Sequence, residues 1–218
     1  QSQRSAWNGI SWKEKVKLAL YRTLAIASIL LLLGGTLSAF AAERIVLIRA
    51  GATDDAMWNG AKKYFAGKGF SIAAHDQARS IEKQIETANR VNKEKARFML
   101  VLEIVPSDRP DAFIAVTDAK RAKGLVLNAD EVPGTHALNS LELGSSIAAR
   151  FQKKVKPLPL FMFFGMDLPA VFVRLNVPRE RDAEAFDRLY DGVLNFTKRG
   201  NKEERELKGE RRDPAAED

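Results

Sequence analysis

The chain of 218 residues contains no cysteine and only two histidines, His75 and His136. The absence of cysteine excludes disulfide bonds, thiolate metal ligands and thiol catalysis. The sequence also lacks a glycine-rich phosphate loop and a serine arrangement typical of nucleophilic hydrolases. Because histidine is so scarce, few side chains remain that bind a transition metal or exchange protons near neutral pH.

The net charge of +7 does not indicate a nucleic-acid partner. Residues 1–23 hold five basic residues against one acidic residue, and residues 198–218 hold seven of each sign. Only three positive charges are left in excess for the intervening part, where no basic stripe is interleaved with aromatic residues. We therefore expect no binding of nucleic acid.

The first 42 residues are typical of a membrane-targeting leader. An uncharged segment, residues 24–42, follows the basic residues and ends in Ala39-Phe40-Ala41, a small-x-small pattern that predicts signal-peptide cleavage before Ala42. The alternative is an uncleaved anchor in the inner membrane, because about 20 apolar residues span a bilayer. In both cases the positive flank stays in the cytoplasm, and the rest of the chain is periplasmic or otherwise extracytoplasmic.

Residues 43–200 alternate between strand and helix patterns, and the charged residues 201–218 predict a frayed or disordered tail. Predicted strands or apolar runs cover residues 44–48, 70–73, 98–105, 113–117, 125–128, 160–164 and 170–175. Predicted helices cover residues 56–66, 80–94, 139–154 and 182–198. This order predicts a three-layer α/β domain with a largely parallel twisted sheet and helices on both faces, preceded by the apolar helix of the leader.

Three expectations concern particular side chains. In the second helix, Ile81, Ile85, Ala88 and Asn92 share one face at helical spacing. His75 is expected in a loop after the second strand, and His136 in a loop before a helix. We expect both histidines to be exposed loop residues rather than metal ligands.

Several short motifs give the chain a resemblance to a known family. The helix Ser80-Ile81-Glu82-Lys83-Gln84-Ile85-Glu86-Thr87-Ala88-Asn89, with the strand that ends at Glu103, resembles a segment of the zinc-dependent N-acetylmuramoyl-L-alanine amidases. Leu168-Pro169-Ala170-Val171-Phe172-Val173 is similar to that family's late strand, Arg44-Ile45-Val46-Leu47 to its first strand, and Ser145-Ser146-Ile147-Ala148 lies where the family also has a helix. The resemblance spans residues 43–198. It implies a domain that cleaves the amide between the sugar and the stem peptide of peptidoglycan, with one zinc ion.

In the family two histidines and a glutamate bind zinc, and a second glutamate is the general base, as metal-assisted hydrolysis requires. The resemblance places the first histidine at Gly51, the ligand glutamate near Thr53, Asp54 or Asp55, the second histidine at Glu103 and the catalytic glutamate at Arg174. A glycine has no ligating side chain, and an arginine neither coordinates a metal nor serves well as a base. We therefore assign no catalytic residue, no metal and no cofactor.

The cleft candidates that remain are Gly51, Asp54, Asp55, Glu103 and Arg174. Glu103 and Arg174 have opposite charges at positions that the resemblance brings together, and we hypothesise a bidentate ion pair that fills the former zinc pocket. The alternative is that both face water at the strand ends. For Asp54 and Asp55 the alternative to a ligand role is a helix cap, the usual role of acidic residues in a first turn.

Three hypotheses on function follow. The first is an exported or membrane-anchored amidase-like domain, catalytically inactive, that binds peptidoglycan or an envelope protein. The second is an active zinc amidase whose ligands are displaced, and it is the only one that needs zinc. The third is a structural partner tethered to the membrane through residues 24–42.

Overall fold

The computed structural model describes residues 42–120 and 128–210, with side chains as far as residue 200. The leader expected at residues 1–42 lies outside the described residues except for Ala42, as does most of the strand expected at residues 125–128. Among the helices that are described, none has both the length and the apolarity needed to cross a membrane.

The elements follow one another in the alternating order that the sequence predicts. They are β1 (Arg44–Arg49), α1 (Asp55–Gly67), β2 (Ser71–Asp76), α2 (Ile81–Lys93), β3 (Met99–Pro106), β4 (Asp111–Thr117), α3 (Ala137–Arg150), β5 (Val155–Leu158), β6 (Ala170–Val177) and α4 (Asp182–Glu210). Six strands form one sheet in the order β2-β1-β3-β6-β4-β5. Strands β1, β2, β3 and β6 are parallel, whereas β4 is antiparallel to β6 and parallel to β5. The largely parallel α/β sheet is confirmed.

The first face of the sheet is covered by helices. Leu47, Leu100 and Val173 are fully buried there against apolar side chains of α1, α3 and α4. Successive side chains of these strands are apolar and point to opposite faces of the sheet. Each strand is therefore buried on both sides, as expected for parallel strands between covered faces. The first face therefore holds the larger of the two apolar cores.

The second face is covered by α2 and by the irregular segment 159–169. Phe163, Met166 and Leu168 of that segment pack against the sheet together with Ala88 and Val91 of α2. The apolar run at residues 160–164, expected as a strand, instead forms a short 3₁₀ turn at Phe161–Phe163. A segment of this kind cannot pair its backbone groups within a ladder, so it needs other hydrogen-bond partners.

Amide side chains of α2 supply those partners. Gln84 Nε2 donates to the carbonyl oxygens of Met162 (3.1 Å) and Phe164 (3.0 Å), and Asn92 Nδ2 donates to that of Gly165 (2.9 Å). The face of α2 that turns inward is consequently not the expected one, because Gln84 is buried whereas Ile81 and Ile85 are 42% and 47% exposed. Of the four residues expected together, Ile81, Ile85, Ala88 and Asn92, only Ala88 is buried.

Three other elements differ from the prediction in ways that bear on the site or the tail. Strand β2 continues to Asp76, so His75 lies in a strand, paired in register with Ile48, and the loop prediction for it was wrong. Strand β5 was not predicted at all. Helix α4 continues to Glu210, twelve residues beyond the expected end. His136 does precede a helix, at the end of the turn Val132–His136, where its Nε2 lies 2.9 Å from Asp167 Oδ1.

Candidate functional site

The carboxyl ends of β1, β3 and β6 meet at one edge of the sheet because these strands are parallel. Glu103 of β3 and Arg174 of β6 are register partners at this edge, so their side chains leave the sheet on the same side. The side chains that precede them on that side, Met99 and Val101 in β3 and Phe172 in β6, belong to the core of the second face. The site therefore lies on the second face, at the carboxyl edge.

The loop after β1 is held tightly against the end of β3. The Ala50 N–H donates to the Leu102 carbonyl oxygen (2.9 Å), and the Asp54 N–H donates to that of Ile104 (3.0 Å). Between them the buried Thr53 hydroxyl accepts from the Ile104 N–H (3.0 Å). Thr53 is one of the three positions near which the resemblance places the ligand glutamate, and here its hydroxyl holds the loop against β3.

This anchoring presses Gly51 against the side chain of Glu103. Gly51 has a φ of +55°, in the left-handed region that glycine adopts readily. A Cβ atom added there would lie 2.5 Å from the carboxyl carbon of Glu103 and closer still to Oε1. The Glu103 carboxylate therefore occupies the space that a side chain at position 51 would need.

Glu103 makes only weak polar contacts in that place. The Ala52 N–H donates to Oε1 at 3.4 Å, and Oε2 lies 3.7 Å from Arg174 Nε. The hypothesised ion pair is thus present, but as one loose contact. The bidentate geometry was wrong. Glu103 is mostly buried (17% exposed), whereas about half of the Arg174 side chain is accessible (49%).

An open groove of about 440 Å³ adjoins this pair. It is lined by Glu103, Asp111, Phe113, Phe172, Arg174 and Asn176. The rings of Phe113 and Phe172 pack edge to face, with centroids 6.3 Å apart. Asn176 Oδ1 is buried and has no hydrogen-bond partner within the part of the chain that the structure describes. We call this feature the β6 groove.

Glu103 and Arg174 were cleft candidates from the sequence, whereas the other four groove residues were missed, although the alternation along β6 was a signal for Phe172 and Asn176. Phe172, Arg174 and Asn176 alternate along β6 and so point to the same side of the sheet. Asp111 and Phe113 come from β4, whose pairing with β6 juxtaposes Phe113 and Arg174. The antiparallel direction of β4 was not apparent from its sequence.

Asp54 and Asp55 serve the helix rather than the groove. Asp54 Oδ1 caps α1 by accepting from the N–H groups of Ala56 (3.0 Å) and Met57 (3.1 Å), and Oδ2 accepts from Arg179 (2.8 Å). The Met57 hydrogen bond, followed by the Arg179 guanidinium, holds the pKa of Asp54 below its ordinary value of 3.8. Asp55 is exposed and forms an ion pair with Arg49 (2.6 Å).

These residues do not fit the zinc site that the resemblance implies. Gly51 offers no donor, Arg174 repels a cation, and both carboxylate oxygens of Asp54 are engaged. Across residues 42–120 and 128–200, no three side chains of His, Cys, Asp or Glu are grouped as a metal would require. Neither histidine lines the β6 groove, since His75 lines a different cavity and His136 contacts Asp167.

No protein-family model matches the chain, and no curated protein matches it. Solved structures of similar fold include the catalytic domain of the CD27L endolysin targeting Clostridia difficile (12% identity, 70% of this chain and 97% of that chain, TM-score 0.46). Another is the N-acetylmuramyl-L-alanine amidase Ami1 from Mycobacterium smegmatis (11% identity, 71% of this chain and 97% of that chain, TM-score 0.49). A third is the N-acetylmuramoyl-L-alanine amidase AmiC2 of Nostoc punctiforme (11% identity, 72% of this chain and 98% of that chain, TM-score 0.43). Amidase domains are thus among the structures similar to this fold, as expected. No conclusion on chemistry follows from a likeness of this degree.

Proposed function

We propose that residues 43–200 form an exported, non-catalytic amidase-like domain that binds peptidoglycan through the β6 groove. The observation that supports this proposal is the position of the Glu103 carboxylate beside Gly51. Metal-assisted hydrolysis needs a set of ligands, an open coordination position and a base. Here a carboxylate occupies the space of the first expected ligand, and a guanidinium stands in place of the base.

The groove offers suitable chemistry for a ligand with carboxylates, amides and sugar rings. The terminal nitrogens of Arg174 form a planar fork that matches a carboxylate, and half of the side chain is accessible. Phe113 and Phe172 provide an apolar floor, and the unpartnered oxygen of Asn176 can accept from an amide N–H. Stem peptides of peptidoglycan carry both carboxylates and amides next to N-acetylated sugars.

The test is co-sedimentation of the full chain with purified peptidoglycan. Arg174→Gln removes the charge from the groove, and Arg150→Gln removes an exposed arginine of α3 that does not line it. We expect Arg174→Gln to weaken binding by about tenfold, because a hydrogen bond between charged groups contributes roughly 1.5–3 kcal/mol. Arg150→Gln should bind like the wild type. Equal binding by all three proteins would contradict the groove and favour a membrane-tethered structural partner.

Loss of catalysis is tested separately. The full chain is equilibrated with zinc and incubated with muropeptides, and we expect no release of stem peptide with or without the ion. Amidase activity that chelation abolishes would overturn the non-catalytic part of the proposal and establish the active alternative with displaced ligands. Export through the leader, and anchoring in the inner membrane through residues 24–42 where the leader is not cleaved, belong to the same proposal.

A further inference from the structure

A second cavity, of about 480 Å³, lies between β2 and α2, and we call it the β2–α2 cavity. It is lined by Ala74, His75, Asp76, Gln77, Ala78, Arg79, Lys83, Thr87 and Arg90. Its volume falls within the range of about 300–1,000 Å³ that is usual for sites of small ligands. It is separate from the β6 groove, with which it shares no lining residue.

The lining of this cavity is strongly positive. Three of its side chains are cationic and one, Asp76, is a carboxylate. Lys83 is paired with Glu86 (2.9 Å), which lies on the same helix. Arg79 and Arg90 have no ion-pair partner within residues 42–120 and 128–200. Two guanidinium groups thus line one cavity with a single carboxylate, Asp76, and neither forms an ion pair among the described residues, which is an arrangement that an anion would stabilise.

The imidazole of His75 adds a polar atom with no partner. Its Nε2 is buried and makes no hydrogen bond to any described residue. A buried polar atom without a partner is unfavourable unless a ligand or water satisfies it. Burial, followed by the charge of Arg90, lowers the pKa of His75, whereas Glu94 and Asp76 act in the opposite direction. In the unliganded protein the lowered pKa thus favours the neutral form of the ring.

We propose that the β2–α2 cavity binds a phosphate group through Arg79, Arg90 and His75. Phosphate presents several oxygen acceptors on one small centre, so it can receive the forks of two arginines and the ring N–H of a protonated histidine together. The site adjoins the Glu103 position, because Gln77 of its lining accepts from the Gly51 N–H (3.2 Å). The proposal does not depend on peptidoglycan binding in the β6 groove.

The first test is titration of the full chain with inorganic phosphate, followed by calorimetry or by NMR shifts. Arg90→Gln and Arg79→Gln should each weaken binding by about tenfold, the loss expected for one hydrogen bond between charged groups. Lys93→Gln removes the same charge from an exposed position of α2 that does not line the cavity, and it should change the affinity less than about twofold because salt screens distant charges. Arg174→Gln should bind phosphate normally, which separates this site from the groove.

Two results would overturn the proposal. One is the absence of saturable phosphate binding. The other is an equal loss in Lys93→Gln and Arg90→Gln, since that would indicate attraction by net charge alone. A parallel titration with glycerophosphoglycerol identifies the source of the phosphate. Tighter binding of the diester would indicate a phosphate-linked polymer or lipid headgroup, and tighter binding of inorganic phosphate a free or terminal phosphate.

The pH dependence of binding tests the part assigned to His75. Sulfate is the probe because it keeps its double charge over the range in which histidine titrates. A bound anion raises the lowered pKa of His75, so binding takes up a proton and the affinity should increase as pH falls from about 7.5 to about 5.5. His75→Gln should lose this increase while Arg90, Glu94 and Asp76 are retained. An unchanged pH profile in His75→Gln would remove His75 from the site.

Discussion

The two faces of the sheet are covered in different ways, and the candidate site lies on the face with the less regular cover. On the first face, residues such as Leu102 and Leu175 continue the apolar core up to the ends of β3 and β6. On the second face, the residues directly beside them along the same strands are Glu103 and Arg174. The three helices of the first face bury Leu102 and Leu175 completely, whereas α2 and segment 159–169 leave Glu103 and Arg174 beside an open groove. Successive side chains of a strand point to opposite faces of the sheet. The polar residues of the candidate site can therefore lie on one face while apolar residues on the other face stabilise the domain.

A substitution on the first face should have the largest effect on stability. Gly192 of α4 packs against α3 so closely that an added Cβ would lie 2.6 Å from Ile147 Cα and 3.0 Å from Ile147 N. These are backbone atoms of a helix, which cannot rotate away as a side chain can. We expect Gly192→Ala to lower the free energy of unfolding by about 3 kcal/mol, the upper end for overpacked cores. Chemical denaturation of the full chain measures it.

Gly67→Ala is the control for this change. Gly67 is the last residue of α1, and an added Cβ would meet no atom within 4 Å. Alanine is also the better helix former, so we expect stability to be unchanged or slightly increased. If Gly192→Ala and Gly67→Ala changed the free energy of unfolding equally, the close approach of α3 and α4 would leave room for a side chain at position 192. That result would contradict the expectation that a substitution on the first face has the largest effect on stability.

On the second face the corresponding test is Gln84→Leu. Leucine keeps most of the buried volume of Gln84 but leaves the carbonyl oxygens of Met162 and Phe164 without their donor. We expect a loss of about 2 kcal/mol in the free energy of unfolding, since an unsatisfied buried polar group costs roughly 1–3 kcal/mol. We also expect faster amide hydrogen exchange within segment 159–169, because its cover depends on these bonds.

The exposed Asn89 of the same helix provides the matched control. Asn89→Leu makes a similar change of polarity without removing a bond to the segment, and a surface substitution usually alters stability by less than about 0.5 kcal/mol. Exchange within segment 159–169 should then match the wild type. Equal exchange in Gln84→Leu and Asn89→Leu would mean that apolar packing of Phe163 and Met166 alone holds the segment in place.

The central strands were predictable from their apolar runs, and parallel strands bring the ends of such runs to one edge of a sheet. The pairing of Glu103 with Arg174 was expected because the resemblance brings these two positions together. The position of the Glu103 carboxylate over Gly51 was not predictable, because it depends on how Thr53 ties the loop after β1 to β3. Contacts between residues as far apart in the chain as Thr53 and Ile104 leave no local pattern.

The strands whose prediction was wrong or absent are the two outermost strands of the sheet, β2 and β5. Strand β2 was expected to end before His75 and Asp76, and β5 contains Pro157 and was not expected at all. Edge strands pair on one side only, so they tolerate charged residues and proline that a central strand excludes. Because His75 was assigned to a loop, the β2–α2 cavity escaped the sequence analysis.

The smallest expected effect concerns the site itself. Gly51→Ala places a Cβ in the space of the Glu103 carboxylate, at a backbone φ of +55° that disfavours side chains. The left-handed conformation costs alanine about 1 kcal/mol, whereas the flexible Glu103 side chain can move aside at little cost. We expect a loss of about 1 kcal/mol in the free energy of unfolding, measured by chemical denaturation.

A double-mutant cycle with Glu103→Ala separates the two causes. If the carboxylate occupies the space beside Gly51, alanine at position 51 is tolerated better once Glu103 is truncated, and the two changes should couple by about 0.5 kcal/mol or more, as residues in contact do. Strictly additive effects would mean that the carboxylate lies elsewhere. The space at position 51 would then be open to a ligating side chain, and the main argument against a metal site on the second face would be lost.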